Sequence, residues 1–166
     1  MNKTAVFPGS FDPPTLGHLD LVDRALELFD QVVVAIGINM AKRGFLTVDE
    51  RAAVLHECLD GRERVTVRTF EGLIAPWCAR EGLGPIVRGV RNAVDFEYER
   101  SMAIHNRALA PSVDTVFLMP SPELTFTSST LIREIVAGGG DASPWLPEPA
   151  LRAMQRALAK RETTKR

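Results

Sequence analysis

The run Gln31-Val-Val-Val-Ala-Ile-Gly-Ile38 is apolar and mostly β-branched, without the alternation that would leave one face to water. A strand of that kind is buried on both sides, which happens in parallel sheets covered by helices. The flanking segments follow the same logic. Upstream, the short apolar run Thr4 to Phe7 leads through a turn into Leu19 to Phe29, where residues 19, 22, 26 and 29 share one helical face. Downstream, Thr47-Val-Asp-Glu50 has capping-box spacing and opens a helix with Val48, Ala52, Leu55 and Leu59 along its inner stripe. His56 and Cys58 flank that stripe and read as structural.

The alternation continues. Arg64 to Phe70 has strand periodicity, and Gly72 begins a helix through Arg80, with Pro76 tolerable only near its first turn. Gly82 and Gly84 end that helix, Pro85 to Val87 makes the next strand, and 88–92 is the loop at its carboxyl end. A helix over Asp95 to Leu109 and a fifth strand over Val113 to Met119 follow. Leu131 to Val136 is helical and stops at Gly138-Gly-Gly140; Pro144 to Pro149 forms a rigid connector. A last helix carries Leu151, Met154 and Leu158 on one side. The expected fold is a single α/β domain over 1–160, a Rossmann-like, doubly wound, five-stranded parallel sheet with helices on both faces. Residues 161–166 are expected to be a frayed polar tail.

In that architecture ligands bind outside the carboxyl ends of the strands. Four segments fall on this edge: the turn at 8–18, the loop with Lys42, the loop at 88–92 and the segment after Met119. In the first, Gly9 permits a tight bend, Pro13-Pro14 hold the chain extended, and Gly17 removes a side chain where a helix opens. Amides at a helix N-terminus attract phosphate, and His18 adds a side-chain donor. Ser128, Ser129 and Thr130 either cap the next helix or present hydroxyls and amides to phosphate oxygens. The turn is suited to a polyphosphate.

Charge narrows the classes. The 166 residues hold 20 Lys and Arg against 21 Asp and Glu, so the bulk balance points to neither nucleic acid nor a membrane surface. Cys58 and Cys78 form no metal-binding spacing with the scattered histidines and read as buried free thiols in a reducing compartment. Without an apolar run of bilayer length or a signal-peptide core, the expected location is cytoplasmic. The first turn lacks G-x-G-x-x-G, which argues against a dehydrogenase.

Pro8-Gly-Ser-Phe-Asp-Pro13 followed by Thr15-Leu-Gly-His18 resembles the nucleotidyltransferase superfamily signature. Together with Lys42, Thr47-Val-Asp-Glu-Arg51, Arg88-Gly-Val-Arg91, Asp95-Phe-Glu-Tyr-Glu99, Val116-Phe-Leu-Met-Pro120 and Ser128-Ser-Thr130, it resembles the bacterial phosphopantetheine adenylyltransferase family up to about Pro149. The resemblance implies transfer of AMP from ATP to 4'-phosphopantetheine, giving dephospho-coenzyme A and pyrophosphate. The acceptor is already a phosphate, so no protein nucleophile is expected; placement and charge stabilisation carry the reaction.

It also implies roles. Ser10 and Lys42 would hold the acceptor phosphate, with Arg88 beside them and Leu73 and Ile74 against the pantetheine arm. Ser10, Phe11, Gly17 and His18 would line the ATP, with Gly89, Val90 and Arg91 on its other side and Glu99 near the adenosine. Leu124, Thr125, Phe126, Thr127, Ser128, Ser129 and Thr130 would meet the β- and γ-phosphates. His18, Lys42, Arg88, Arg91 and Ser10 form the expected catalytic set. A helix N-terminus lowers the basicity of His18 while bound polyphosphate raises it, so its protonation state stays open. No carboxylate pair makes a dedicated cage, and Mg2+ is expected to arrive on the ATP phosphates. A homohexamer and feedback inhibition by coenzyme A are implied as well. Two positions depart from the family, Ser10 where Thr is common and Phe7 where Tyr is common. The nearest alternative is another small-molecule adenylyl- or cytidylyltransferase of the superfamily, which Arg88 to Arg91 with Asp95 to Glu99 argues against.

Overall fold

The computed structural model describes residues 3–38 and 44–164. Five parallel strands, β1 (Thr4–Gly9), β2 (Gln31–Ile38), β3 (Val65–Glu71), β4 (Ile86–Gly89) and β5 (Thr115–Leu118), lie in the order β3-β2-β1-β4-β5. The order reverses beside β1, the point at which such sheets open a crevice. β1 pairs β2 in register from Thr4 opposite Gln31 to Gly9 opposite Ile36. Its other edge meets β4 at Val6 opposite Ile86.

Among the described residues six helices cross between or follow the strands: α1 (Leu16–Leu28), α2 (Val48–Cys58), α3 (Ile74–Glu81), α4 (Ala93–Leu109), α5 (Ser129–Ala137) and α6 (Glu148–Thr164). Successive strand side chains point to opposite faces, and the two sheet cores divide accordingly. Ala5, Phe7, Val32, Val34 and Ile36 pack with Leu21, Val22, Ala25 and Leu55 of α1 and α2. Val6, Val33, Ala35 and Ile86 pack with Ala75, Trp77 and Cys78 of α3 and with Ala110 and Val113. The continuous apolar run of β2 is therefore explained by burial on both faces.

A third core lies beside the sheet. Leu46 and Val54 meet Ile132 and Val136 of α5 and Ala150, Ala153, Met154 and Ala157 of α6. Small residues along α6 let it approach α2 closely. Ionic contacts flank that packing: Arg152 pairs with Glu57 at 2.9 Å and Lys160 with Glu50 at 2.9 Å.

Several boundaries differ from the sequence reading. α1 starts at Leu16, and its buried residues are Gly17, Leu21, Val22 and Ala25, with Leu19, Leu26 and Phe29 only partly buried at the margin. Arg88 and Gly89 belong to β4 and not to a loop, because their backbones still pair with Phe117 and Leu118. The expected rigid connector holds a 3-10 turn at Ser143–Trp145, and α6 already begins at Glu148. The expected tail is helical through Thr164, since Arg161 finds backbone acceptors at Gly44 and Phe45. The Asp12–Pro13 bond in the first turn is cis.

Asp12 joins the first turn to the third core. Its carboxylate accepts from the amides of Phe45 and Leu46, both at 2.7 Å, while its own carbonyl accepts from Arg133 at 2.7 Å. Asp12 is 6% exposed and Arg51 lies 3.8 Å away. Replacing it by Ala leaves two amides without their acceptor and the buried Arg51 without its counter-charge, a loss of about 3 kcal/mol. Thermal unfolding of Asp12→Ala is expected to show a melting temperature lower by roughly 10 °C; an unchanged value would remove this tie from the fold.

Candidate active site

The site starts where β1 ends. Phe7 and Phe11 meet edge to face at 5.6 Å, and the His18 ring lies 5.1 Å from Phe11 and 6.2 Å from Phe7. Phe11 is almost fully buried and adopts a positive φ of 48°, which turns its ring back beneath Gly9. A Cβ on Gly9 would stand 2.9 Å from that ring. The glycine therefore serves close packing; its own φ is not positive, so the tight bend read from the sequence is made at Phe11.

Thr15 caps α1. Its hydroxyl accepts from the His18 amide, and His18 takes the reciprocal part that Glu or Gln usually plays. The Thr15 amide lies 3.0 Å from His18 Nδ1 and donates to it, and the Thr15 hydroxyl is 2.9 Å from the same atom. Because a backbone N–H can only donate, Nδ1 is the acceptor nitrogen and the neutral ring carries its proton on Nε2. Burial of the ring, then the guanidinium groups of Arg91 and Arg88, lower the His18 pKa from 6.5 to about 4. The state left open by the sequence is thus a neutral imidazole with an Nε2–H donor.

The two arginines come from β4 and the turn that follows it. Arg88 holds Glu99 through Nε at 2.7 Å and Nη2 at 2.6 Å, and its Nη1 donates to the Pro8 carbonyl at 3.0 Å. Arg91 pairs with Asp95 at 2.7 Å and donates to the Thr127 carbonyl at 3.2 Å. Each guanidinium is oriented by one carboxylate and one carbonyl, so its cationic edge is fixed before any ligand arrives. On α1, Asp20 accepts from the amide and hydroxyl of Ser121 at 2.9 and 2.6 Å, which holds the chain after β5 over the site. Ser129 donates to the Pro13 carbonyl at 2.8 Å, and Ser128 caps α5 by accepting from the Leu131 amide.

Gly17, His18, Arg88, Gly89, Arg91 and Glu99 together line one cavity of about 230 Å³, and Leu124, Thr127, Ser128 and Ser129 complete its lining. A Cβ at Gly17 would meet nothing nearer than 3.6 Å, so the cavity and not the packing benefits from glycine there. Ser10 is exposed and opens instead into a neighbouring cavity of about 910 Å³ with Asp12, Arg51 and Arg133. Ile74 lines a third space of about 100 Å³ shared with Arg88, Tyr98, Glu99 and Asn106. Leu73, 61% exposed, is the N-cap residue of α3 and lines none of these cavities.

Phe11 and Val90 are buried and support the walls from behind. Phe126 is 86% exposed; it, Thr125 and Thr130 lie outside the walls of the 230 Å³ cavity, and the Thr130 hydroxyl accepts from Arg133 at 3.0 Å. Lys42 lies outside the described residues. Among the described residues no group of three or more His, Cys, Asp or Glu side chains could hold a metal ion. Thr15, Asp20, Asp95, Arg51 and Arg133 acquire roles that the sequence reading did not assign. A T-x-x-H cap lacks the acid that marks a capping box, and Asp20 meets Ser121 only through the fold.

A cavity walled by helix N-termini, two arginines and a neutral histidine lies at the carboxyl edge of the parallel sheet, and the cytidylyltransferase-like family model, within the nucleotidyltransferase superfamily, matches residues 6–135. A solved structure from Vibrio parahaemolyticus, described provisionally as a nicotinate-nucleotide adenylyltransferase, shares the fold with a TM-score of 0.67 at 20% identity, covering 95% of each chain. The phosphopantetheine adenylyltransferase of Limosilactobacillus reuteri (strain DSM 20016) is 45% identical over 160 residues, 96% of this chain and 92% of the relative. That of Anaeromyxobacter dehalogenans (strain 2CP-C) is 41% identical over 160 residues, 96% of this chain and 98% of the relative. The chain belongs to the phosphopantetheine adenylyltransferase family.

Two outcomes follow from the geometry. Nitrogen NMR of the ligand-free protein is expected to show His18 as the Nε2–H tautomer from pH 8 down to about 5, protonating only near 4. The folded pKa lies below the unfolded value of 6.5, so this ring's contribution to stability is full above that pH and is lost as pH falls toward about 4. A midpoint near 6.5 would contradict the burial argument. For Gly9→Ala, the crowding against Phe11 is expected to cost about 1–3 kcal/mol in chemical unfolding; a neutral result would mean that the Phe11 ring moves freely.

Proposed function

We propose that the protein transfers the adenylyl group of ATP to 4'-phosphopantetheine, forming dephospho-coenzyme A and releasing pyrophosphate. The observation that carries the reading is His18, a neutral donor fixed by Thr15 between two preset guanidinium groups, with family membership naming the acceptor. The acceptor phosphate attacks the α-phosphorus in line, and the bond to the β,γ-diphosphate breaks. His18 Nε2–H donates to an α-phosphate oxygen as charge accumulates, without giving up its proton. Three of the five Arg88 donors are already engaged, and the remaining two serve the acceptor phosphate, to which the family resemblance also assigns Lys42 and Ser10, the latter lining the neighbouring 910 Å³ cavity.

Gly17, Gly89 and Arg91 with the wall from Leu124 to Ser129 take the nucleotide and its phosphates; the space lined by Ile74, Tyr98 and Asn106 suits the start of the pantetheine arm. Asp95, Glu99 and Asp20 are committed to protein donors, so Mg2+ is carried by the ATP phosphates and supplies neutralisation of their charge. Coenzyme A, which contains the acceptor's own arm, competes for that space as a feedback inhibitor. α4 exposes Val94, Tyr98, Met102 and Leu109, an apolar set that supports assembly into a homohexamer. Unpaired Cys58 and Cys78 support a reducing, cytoplasmic setting, and among the described residues no helix is long and apolar enough to cross a membrane.

The test is pyrophosphate release from ATP and magnesium with 4'-phosphopantetheine, run beside nicotinate mononucleotide. Turnover is expected with the first acceptor only. His18→Ala should lose roughly a hundredfold or more in kcat, as removal of one preorganised donor to a developing charge does. Release with nicotinate mononucleotide alone would overturn the assignment of acceptor.

A further inference from the structure

The segment Gly44 to Leu46 has no ladder partner, yet its backbone groups are satisfied by charged side chains. Asp12 takes the amides of Phe45 and Leu46, both at 2.7 Å. Arg51 Nε donates to the Leu46 carbonyl at 2.9 Å, and its Nη1 reaches the Ser10 carbonyl at 3.3 Å. From the opposite side, Arg161 Nη2 donates to the carbonyls of Gly44 at 2.9 Å and Phe45 at 3.3 Å. The Arg161 guanidinium also covers the Phe45 ring at 4.2 Å from its centroid.

Three residues are thus held between the first turn and the last turns of α6 by charge-assisted bonds. Ala157, Lys160 and Arg161 of α6 line the same 910 Å³ cavity that Ser10 opens into. Through Asp12 and Arg51 the clamp therefore fixes the turn that carries Ser10.

We infer that Arg161 is a positioning residue for acceptor binding, so that the C-terminal turns of α6 form part of the acceptor half of the site. Arg161 itself touches backbone and a ring of the protein and no reacting atom. This rests on the reading that Ser10 holds the acceptor phosphate; the Arg91 and Asp20 contacts that order the nucleotide half are made to Asp95, Thr127 and Ser121 and not to α6.

The test compares Arg161→Ala and Arg161→Lys with Arg152→Ala, which loosens α6 at Glu57 and Glu148 without touching Gly44 to Leu46. Arg161→Ala is expected to raise the KM for 4'-phosphopantetheine about tenfold, the loss of one charge-assisted clamp. The KM for ATP should change less, within about twofold, because the Arg91 and Asp20 contacts of the nucleotide half are made away from Gly44 to Leu46. Arg161→Lys, which keeps a cationic donor, should recover part of the difference, and Arg152→Ala should leave the KM ratio unchanged even if it melts earlier. Hydrogen exchange at the Phe45 and Leu46 amides reads the clamp without turnover and should quicken in Arg161→Ala alone. Absence of wild-type turnover with this acceptor would refute the activity reading, and the exchange result would still decide the clamp. Unchanged exchange, equal changes in both KM values, or the same KM ratio shift in Arg152→Ala would overturn the inference.

Discussion

A carboxylate nearly out of reach of water must find donors, and Asp12 finds them in a different layer of the molecule. The two hydrogen bonds it accepts from the Phe45 and Leu46 amides, with Arg51 beside it and Arg133 on its carbonyl, fasten the strand-to-helix turn to the segment before α2 and to α5. The core of α2, α5 and α6 is thereby attached to the sheet at the edge where ligands bind. Without that attachment the walls of the two larger cavities would have no common reference.

The electrostatics of the site follow a related rule. Clustering two arginines near an imidazole would favour repulsion, but each guanidinium carries its own acid, Glu99 for Arg88 and Asp95 for Arg91. The imidazole responds by staying neutral, held in one tautomer by Thr15. The outcome is a set of donors aimed in advance, with little charge to reorganise when a polyphosphate enters, the arrangement that electrostatic catalysis requires. Chemistry that uses a phosphate already made as nucleophile needs no more from the protein than this placement.

Membership in the phosphopantetheine adenylyltransferase family and the match to cytidylyltransferase-like proteins agree with what the cavity contains. The Vibrio structure, at 20% identity, shares only the fold. The third space, lined by Ile74, Tyr98 and Asn106, adjoins the first through Arg88 and Glu99, which line both.

The sequence by itself determined the parallel sheet, the order of strands and helices and the edge on which the site forms. Periodicity and continuous apolar runs are local records of burial, and the capping box at Thr47 appears as read. The motif residues around His18, Arg88 and Ser128 were likewise legible, because their types and spacing are written along short stretches. Only the tertiary structure decided the tautomer of His18, the engagement of Arg88 by Glu99, the latch from Asp20 to Ser121 and the use of Arg161 against Gly44 and Phe45. Each of these joins groups whose meeting depends on the path of the whole chain, or on a proton position that no spacing encodes. A polar C-terminal stretch looks solvated until a fold brings carbonyls and an aromatic face within reach of its guanidinium.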